Sequence, residues 1–286
     1  MKLASYKVRG RDSFGAVVGD GVVDLKPRLG PRFASLMDVL RHDGLAIARE
    51  AARGVRPDYP SSEVEWLPPL SAPEKILCIG INYANRNADY GEAEVPKYPS
   101  MFYRAPASLV GHQQPILIPR ESEQLDYEGE IALVIGKTGR RIAHADALGH
   151  VAGLTLCDEG TIRDWIRHGK FNVTQGKNFD ASGSIGPWIV TSDEIDLAKP
   201  LHLTVKINGE VTQDDTTDHM IKSFADLIAY VSTFMTLKPG DIIVTGTPVK
   251  TMKSSGEGPR WLKAGDTIEI EVPEIGVLRN TVMAEQ

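Results

Sequence analysis

Cysteine is scarce in this chain of 286 residues, which holds only Cys78 and Cys157. Each lies within an apolar run, ILCIG and LTLCDEG, as small buried hydrophobes do. Two such thiols make no disulfide framework, so a reducing cytoplasm is the expected compartment. Long hydrophobic runs are missing too. No tract approaches the roughly 18 apolar residues of a membrane span, and the opening MKLASYKVRGRD has no apolar core of signal-peptide length. Nor is positive charge in excess: the formal net charge is −6, which disfavours nucleic acid and anionic membranes as partners. No nucleophile elbow, phosphate-binding glycine loop or dinucleotide fingerprint occurs. With 42% hydrophobic and 24% charged residues the composition is that of an ordinary globular protein, and a small molecule is the expected partner.

Residues 1–70 read as a small N-terminal α/β domain. Short strand-like runs (GAVVG, GVVDL) precede a helical stretch, FASLMDVLRHDGLAIAREAARG, that closes on glycine. A segment rich in Pro and Ser, VRPDYPSSEVEWLPPLSAPEK, then serves as a linker into residues 71–286. That main body offers many strand candidates: KILCIGINY, QPILI, EIALVIG, VAGLTLC, GPWIVT, LHLTVKING, DIIVTGT, DTIEIEV and GVLRNTVM. Two helical stretches interrupt them, around TIRDWIRHGK and in IKSFADLIAYVSTFMTL. Many strands with few helices predict an α+β chain that is mainly β, rolled or barrel-like, with helices at its margins.

The segment DYEGEIALVIGK carries the strongest chemical signal. On a strand, Glu128 and Glu130 point to one face, because side chains alternate with period two. Apolar residues follow on both faces, so the strand runs inward from two carboxylates that repel unless a cation or a proton neutralises them. Downstream, another apolar strand ends in Asp158. Three carboxylates with no nearby His or Cys would form a hard oxygen site suited to Mg²⁺, Mn²⁺ or Ca²⁺. Spacing alone equally allows a solvated Glu128/Glu130 face and an N-capping Asp158.

Taken in order, KILCIGINYANR, PSMFYRAPASLVG, DYEGEIALVIGK, VAGLTLCDEGTIRDW, QGKNFDASGSIGPWIV, KINGEVTQ, LKPGDIIVTGTP and WLKAGDTIEIEV resemble the fumarylacetoacetate hydrolase family. The resemblance covers about the C-terminal three quarters of the chain. It implies a mixed β-sandwich roll, usually a homodimer, with Mg²⁺ or Mn²⁺ held by Glu128, Glu130 and Asp158. It also singles out Lys177 in GKNFD beside the metal or substrate, where an ammonium offsets the carboxylates and stabilises an enolate. Thr247 in TGTP looks like the family's contact to a substrate carboxylate. Arg104 in FYRAP suits the far end of an acidic substrate, and Gln213 is expected to face the pocket.

The chain departs from the family at one place that matters. Many members carry a His–Glu pair in a lid helix after the NYA motif, whereas the matching residues here are Arg86 and Asp89. Arginine cannot act as a general base. Spaced three apart, the two can form a helical ion pair, and Asp89 is left to activate a water. His112 in LVGHQQP is the histidine expected to substitute, ahead of His168 and His219.

The first expectation for function is hydrolytic C–C cleavage of an acylpyruvate-like diketo acid through an enolate held at the metal. The alternative needs no activated water: an isomerase or tautomerase, a decarboxylase, or a dehydratase acting on a 2-oxo acid. A noncatalytic binding module is the third reading, and the joint presence of Lys177, the TGTP turn and the carboxylates argues against it.

Overall fold

The structure, a computed structural model, describes residues 1–84, 97–170, 172–250 and 260–286. The chain opens with β1 (Lys2–Val8), β2 (Arg11–Val18), β3 (Gly21–Asp24), β4 (Tyr59–Pro60) and β5 (Val64–Trp66). Next come β6 (Ile76–Gly80), β7 (Ser100–Tyr103), β8 (Leu109–Val110), β9 (Ile116–Ile118) and β10 (Leu125–Asp126). The long strands β11 (Gly129–Ile135) and β12 (Val151–Asp158) lead through β13 (Thr161–Ile162) to β14 (Gly183–Thr191). The chain ends with β15 (His202–Ile207), β16 (Glu210–Thr216), β17 (Ile242–Val244), β18 (Thr267–Val272) and β19 (Gly276–Ala284). Helices α1 (Leu25–Leu29), α2 (Leu36–Arg41), α3 (Leu45–Ala52), α4 (Thr174–Lys177) and α5 (Phe224–Phe234) lie between them.

In space a large sheet runs β4-β3-β2-β1-β14-β12-β11-β17-β6-β7, with β5 beside β1 and β8 beside β14. A second sheet, β16-β15-β18-β19-β9, packs against it, and β10 pairs with β13. Most pairs are antiparallel, while β17·β6, β19·β9 and β14·β8 are parallel. This is the mixed, mainly β sandwich roll anticipated from the sequence. The first strands are hydrogen-bonded into the same large sheet, because β1 pairs with β14 at Lys2↔Val190 and Leu3↔Ile189.

Every residue of β11 is buried, which accounts for its unbroken apolar sequence. Ile131, Leu133 and Ile135 enter the core shared with Val205 and Ile270 of the second sheet. Ala132 and Val134 enter the core that holds Leu36, Met37 and Val39 of α2. Each large aliphatic side chain buried this way contributes about 1.5–3 kcal/mol. Gly129 starts the strand where the sheets meet: a Cβ there would lie 2.3 Å from Val205 Cγ2. Glycine between two glutamates is thus a packing requirement.

Two helical expectations are revised. The stretch over residues 33–54 breaks into α2 and α3 at Asp43, which adopts a left-handed φ of 51°. TIRDWIRHGK does not form a helix: Thr161 and Ile162 pair with Asp126 and Leu125, and turns follow to residue 170. The reason is lateral tethering, since Arg163 N donates to Gln124 O at 3.0 Å and its side chain reaches Asp126. The helix α5 is as expected and begins with a capping box between Ser223 and Asp226. Among the described residues no helix is long and apolar enough to cross a membrane.

Gly129→Ala is expected to destabilise the fold by about 1–3 kcal/mol through overpacking, with part of the loss restored by adding Val205→Ala. Urea midpoints of the two variants check this, and an unchanged midpoint for Gly129→Ala contradicts it.

Candidate active site

The β11·β12 register decides which carboxylates meet. Glu130 sits opposite Cys157 and Gly129 opposite Asp158, while Glu159 N donates to Glu128 O at 2.8 Å. Cross-strand partners share a face, and alternation puts Glu128, Glu130 and Glu159 on one side and Asp158 on the other. One oxygen from each of Glu128, Glu130 and Glu159 lies within 4.8 Å of the others, and all three residues are buried. With them, Lys177 and Thr247 line a cavity of about 620 Å³.

Two cations hold this cluster. Lys177 Nζ donates to Glu128 Oε2 and, at 2.9 Å, to Glu159 Oε2. The short α4 delivers it, with Gly176 packed on Ile166 so closely that a Cβ would meet its side chain at 2.4 Å. Arg163 donates to Glu128 Oε1 at 2.5 Å and to Asp126 Oδ2 at 2.7 Å. Asp126 is shared with Lys250, whose ammonium stands over the Tyr127 ring. Burial alone would depress the Lys177 ammonium, but Glu128 and Glu159 outweigh it and hold the pKa above its ordinary value. Burial, then the charges of Glu159 and Glu128, push the Glu130 carboxyl far above its usual range.

The turn after β17 closes the floor. Gly246 N donates to Glu130 Oε2 at 2.5 Å. Gly246 has a φ of 102°, and a Cβ would lie 2.7 Å from Asn82 Cβ. Asn82 is buried and clamps the turn by donating to Thr245 O and Lys222 O. Next along the rim is Ile81, a β-branched residue held at φ 55°, a backbone conformation with a cost of about 1–3 kcal/mol.

These residues fit a hard divalent cation. Three carboxylates converge, and Glu159 Oε1 is buried without a hydrogen-bond partner, an arrangement that is costly unless something positive completes it.

Glu128, Glu130, Lys177 and Thr247 are therefore brought together, and four other expectations are revised. Asp158 is displaced by its neighbour: its Oδ1 accepts Glu128 N at 2.9 Å behind the cluster. Burial pushes its carboxyl up to about 7, against the pull of that hydrogen bond and of Arg104. Arg104 does not face the cavity. Its buried guanidinium donates to Gly160 O, Ser108 Oγ and Ser182 Oγ, bracing the chain just after Glu159. Gln213 is fully buried behind Thr247, accepting from Gly129 N and donating to Thr247 Oγ1 and Pro248 O. The Thr247 hydroxyl itself donates to Gly129 O at 2.9 Å. His112 sits elsewhere, accepting Arg279 N on Nδ1 and meeting Trp66 edge-on. His168 lies tilted against the Trp165 ring and the exposed His219 pairs with Asp215. Arg86 and Asp89 lie outside the described residues. The sequence reading missed Glu159 and Arg163; pairing DYEGE with LCDEG in antiparallel register is the signal that finds Glu159.

Comparison with known proteins places the chain among relatives of the same fold. The family described as fumarylacetoacetate (FAA) hydrolase, C-terminal, matches residues 75–283. The mitochondrial oxaloacetate tautomerase Fahd2a of Rattus norvegicus is 38% identical over 270 residues, 93% of this chain and 85% of its own. The oxaloacetate tautomerase YisK of Bacillus subtilis is 39% identical over 231 residues, 78% of this chain and 75% of its own. Among solved structures, maleylpyruvate hydrolase from Sphingobium sp. SYK-6, in complex with manganese(II) ion and pyruvate, has a TM-score of 0.81 at 27% identity. That match covers 100% of both chains.

His112→Ala is expected to leave turnover unchanged. Burial and then the Arg279 charge push the His112 imidazole down to about 4, from 6.5. The unfolded chain therefore binds the proton first, and this contribution to stability is complete above pH 6.5 and lost as pH falls toward 4. Urea midpoints against pH should decline less steeply in His112→Ala; a large loss of turnover in that variant contradicts the assignment.

Proposed function

The chain belongs to the fumarylacetoacetate hydrolase family, and from that membership we propose that it enolises a 2-oxo acid as a divalent-metal-dependent keto–enol tautomerase. The observation that carries this reading is the make-up of the cavity. Three carboxylates surround an ammonium, and no imidazole is present among the described lining residues. Moving one proton between carbon and oxygen asks for stabilised enolate charge, whereas hydrolysis also asks for a group that activates water. Arg86 and Asp89 stand where many family members have His and Glu. The oxaloacetate tautomerases of Rattus norvegicus and Bacillus subtilis, among the relatives, support the same choice.

Glu128, Glu130 and Glu159 are the residues that would hold Mg²⁺ or Mn²⁺. When bound, such a cation supplies Lewis-acid polarisation of the 2-oxo acid, which acidifies the neighbouring C–H. The remaining work falls to the chain. Lys177, kept protonated by Glu128 and Glu159, presents fixed positive charge to the developing enolate and is not the base. Arg163 and Asp126 fix the orientation of Glu128. The Gly246 amide fixes Glu130, and Gln213 with Thr247 stiffens the floor beneath the substrate. Asp89, expected from the sequence to activate a water, is instead assigned here the role of proton acceptor.

C–C hydrolysis remains the second reading, favoured by one observation: the maleylpyruvate hydrolase of matching fold, in complex with manganese(II) ion and pyruvate.

Ultraviolet absorbance separates the two. The Mg²⁺-loaded protein is expected to accelerate ketonisation of enol-oxaloacetate, and Lys177→Met should lower that rate by roughly 10²–10³-fold. Acylpyruvates should give little pyruvate. Rapid release of pyruvate and a carboxylic acid, with no effect on the enol, would instead establish the hydrolase.

A further inference from the structure

The pairing of β11 with β17 continues past the ends of the two strands. Ala132 faces Val244, Leu133 faces Ile243 and Val134 faces Ile242. In the same register Thr245 N donates to Ile131 O at 3.1 Å, Gly246 N to Glu130 Oε2 and the Thr247 hydroxyl to Gly129 O. Continued along that line, the register brings Lys250 opposite Asp126, and the Lys250 ammonium donates to Asp126 Oδ1. Opposite charges placed this way attract as a cross-strand pair. Lys250 thus closes the outer end of a seam whose inner end grips Glu130.

Asp126 is buried, and its two oxygens are divided among its partners. Lys250 and Tyr127 N donate to Oδ1, while Arg163 Nε donates to Oδ2 at 2.7 Å. From that position Arg163 Nη2 reaches Glu128 Oε1, and Lys177 and Thr161 hold Glu128 Oε2. A guanidinium favours two parallel N–H bonds to a single carboxylate. Without Lys250 on Oδ1, Asp126 is free to turn, accept both forks of Arg163 and draw the guanidinium away from Glu128. Lys250 itself has little freedom. Its ammonium lies 3.9 Å from the centroid of the buried Tyr127 ring, a cation–π contact. Pro248, two residues earlier, is held through its carbonyl by Gln213.

We propose that Lys250 is a positioning residue for the carboxylate cluster: by holding one oxygen of Asp126 it keeps Arg163 divided between Asp126 and Glu128, and so fixes the Glu128 carboxylate. This rests on the reading of Glu128 as a ligand of the divalent cation. Lys250 is not among the described residues that line the cavity, so it acts through Asp126 and Arg163. Charge alone argues for the opposite effect. Removing a cation near three carboxylates strengthens their attraction for a metal ion, so the sign of the change separates positioning from a general field.

Calorimetric titration of Mn²⁺ tests this on the intact protein, Lys250→Met, Lys250→Arg, Asp126→Asn and the double variant Lys250→Met/Asp126→Asn. Circular dichroism checks the fold of each, and Lys250→Gln takes the place of Lys250→Met if the latter does not fold. Lys250→Met is expected to weaken Mn²⁺ binding by roughly tenfold, and Lys250→Arg, which keeps charge and reach, to retain most of the affinity. In the Asp126→Asn background Lys250→Met should change the affinity by less than about twofold, because the residue it acts through is gone. Unchanged or tighter binding in Lys250→Met overturns the positioning role while the cation site stands. So does an undiminished loss in the Asp126→Asn background, or binding in Lys250→Arg as weak as in Lys250→Met. No Mn²⁺ binding by the intact protein overturns the cation reading and this role with it.

Discussion

Mutual repulsion among three buried carboxylates is the constraint around which this molecule is arranged. At about 4 Å, two like charges cost about 4 kcal/mol at an effective dielectric constant near 20, and Glu128, Glu130 and Glu159 meet at such distances inside the fold. Lys177 and Arg163 offset part of it. The surrounding scaffold does the rest: Asp158 and Gly246 grip the cluster through backbone hydrogen bonds, and Arg104 braces the turn behind it. A divalent cation, as proposed for this site, would complete the balance. Strain at Ile81 and the close approach at Gly246 occur along the same rim, where local backbone cost is borne by the packed sheets around it.

Much of this was legible in the sequence because β-periodicity is strict. The apolar run after Glu130 announces a strand buried on both faces, and β11 is one. Glu128 and Glu130 share a face for the same reason. What sequence could not supply was register. Choosing between Asp158 and Glu159 needs to know which residue of β12 stands opposite Glu130, and that is set by strand pairing over the whole sheet. The failures at Arg104, Gln213 and His112 have a different origin. Their residue types suit ligand contacts, yet each satisfies backbone groups that folding would otherwise leave unpaired. Tertiary hydrogen bonding likewise turned TIRDWIRHGK, helical by pattern, into a strand and turns.

The proposed enolate-stabilising site is compatible with more than one reaction, and which one follows depends on the groups around it. In the proposed function, Arg86 and Asp89 in place of the family's His–Glu pair remove the usual means of activating water, while the carboxylates and Lys177 would still supply the charge that an enolate needs. Lys177, bonded to Glu128 and Glu159, is placed where it would serve either fate of the proposed enolate.

The central claim is that Glu159, and not Asp158, completes the cation site with Glu128 and Glu130. Titrating Mn²⁺ into the intact protein, Glu159→Gln and Asp158→Asn, with free ion followed by electron paramagnetic resonance, tests it most directly. The account predicts that Glu159→Gln weakens Mn²⁺ binding by at least about 10–100-fold, while Asp158→Asn retains most of it. Strong binding in Glu159→Gln together with its loss in Asp158→Asn would contradict the account.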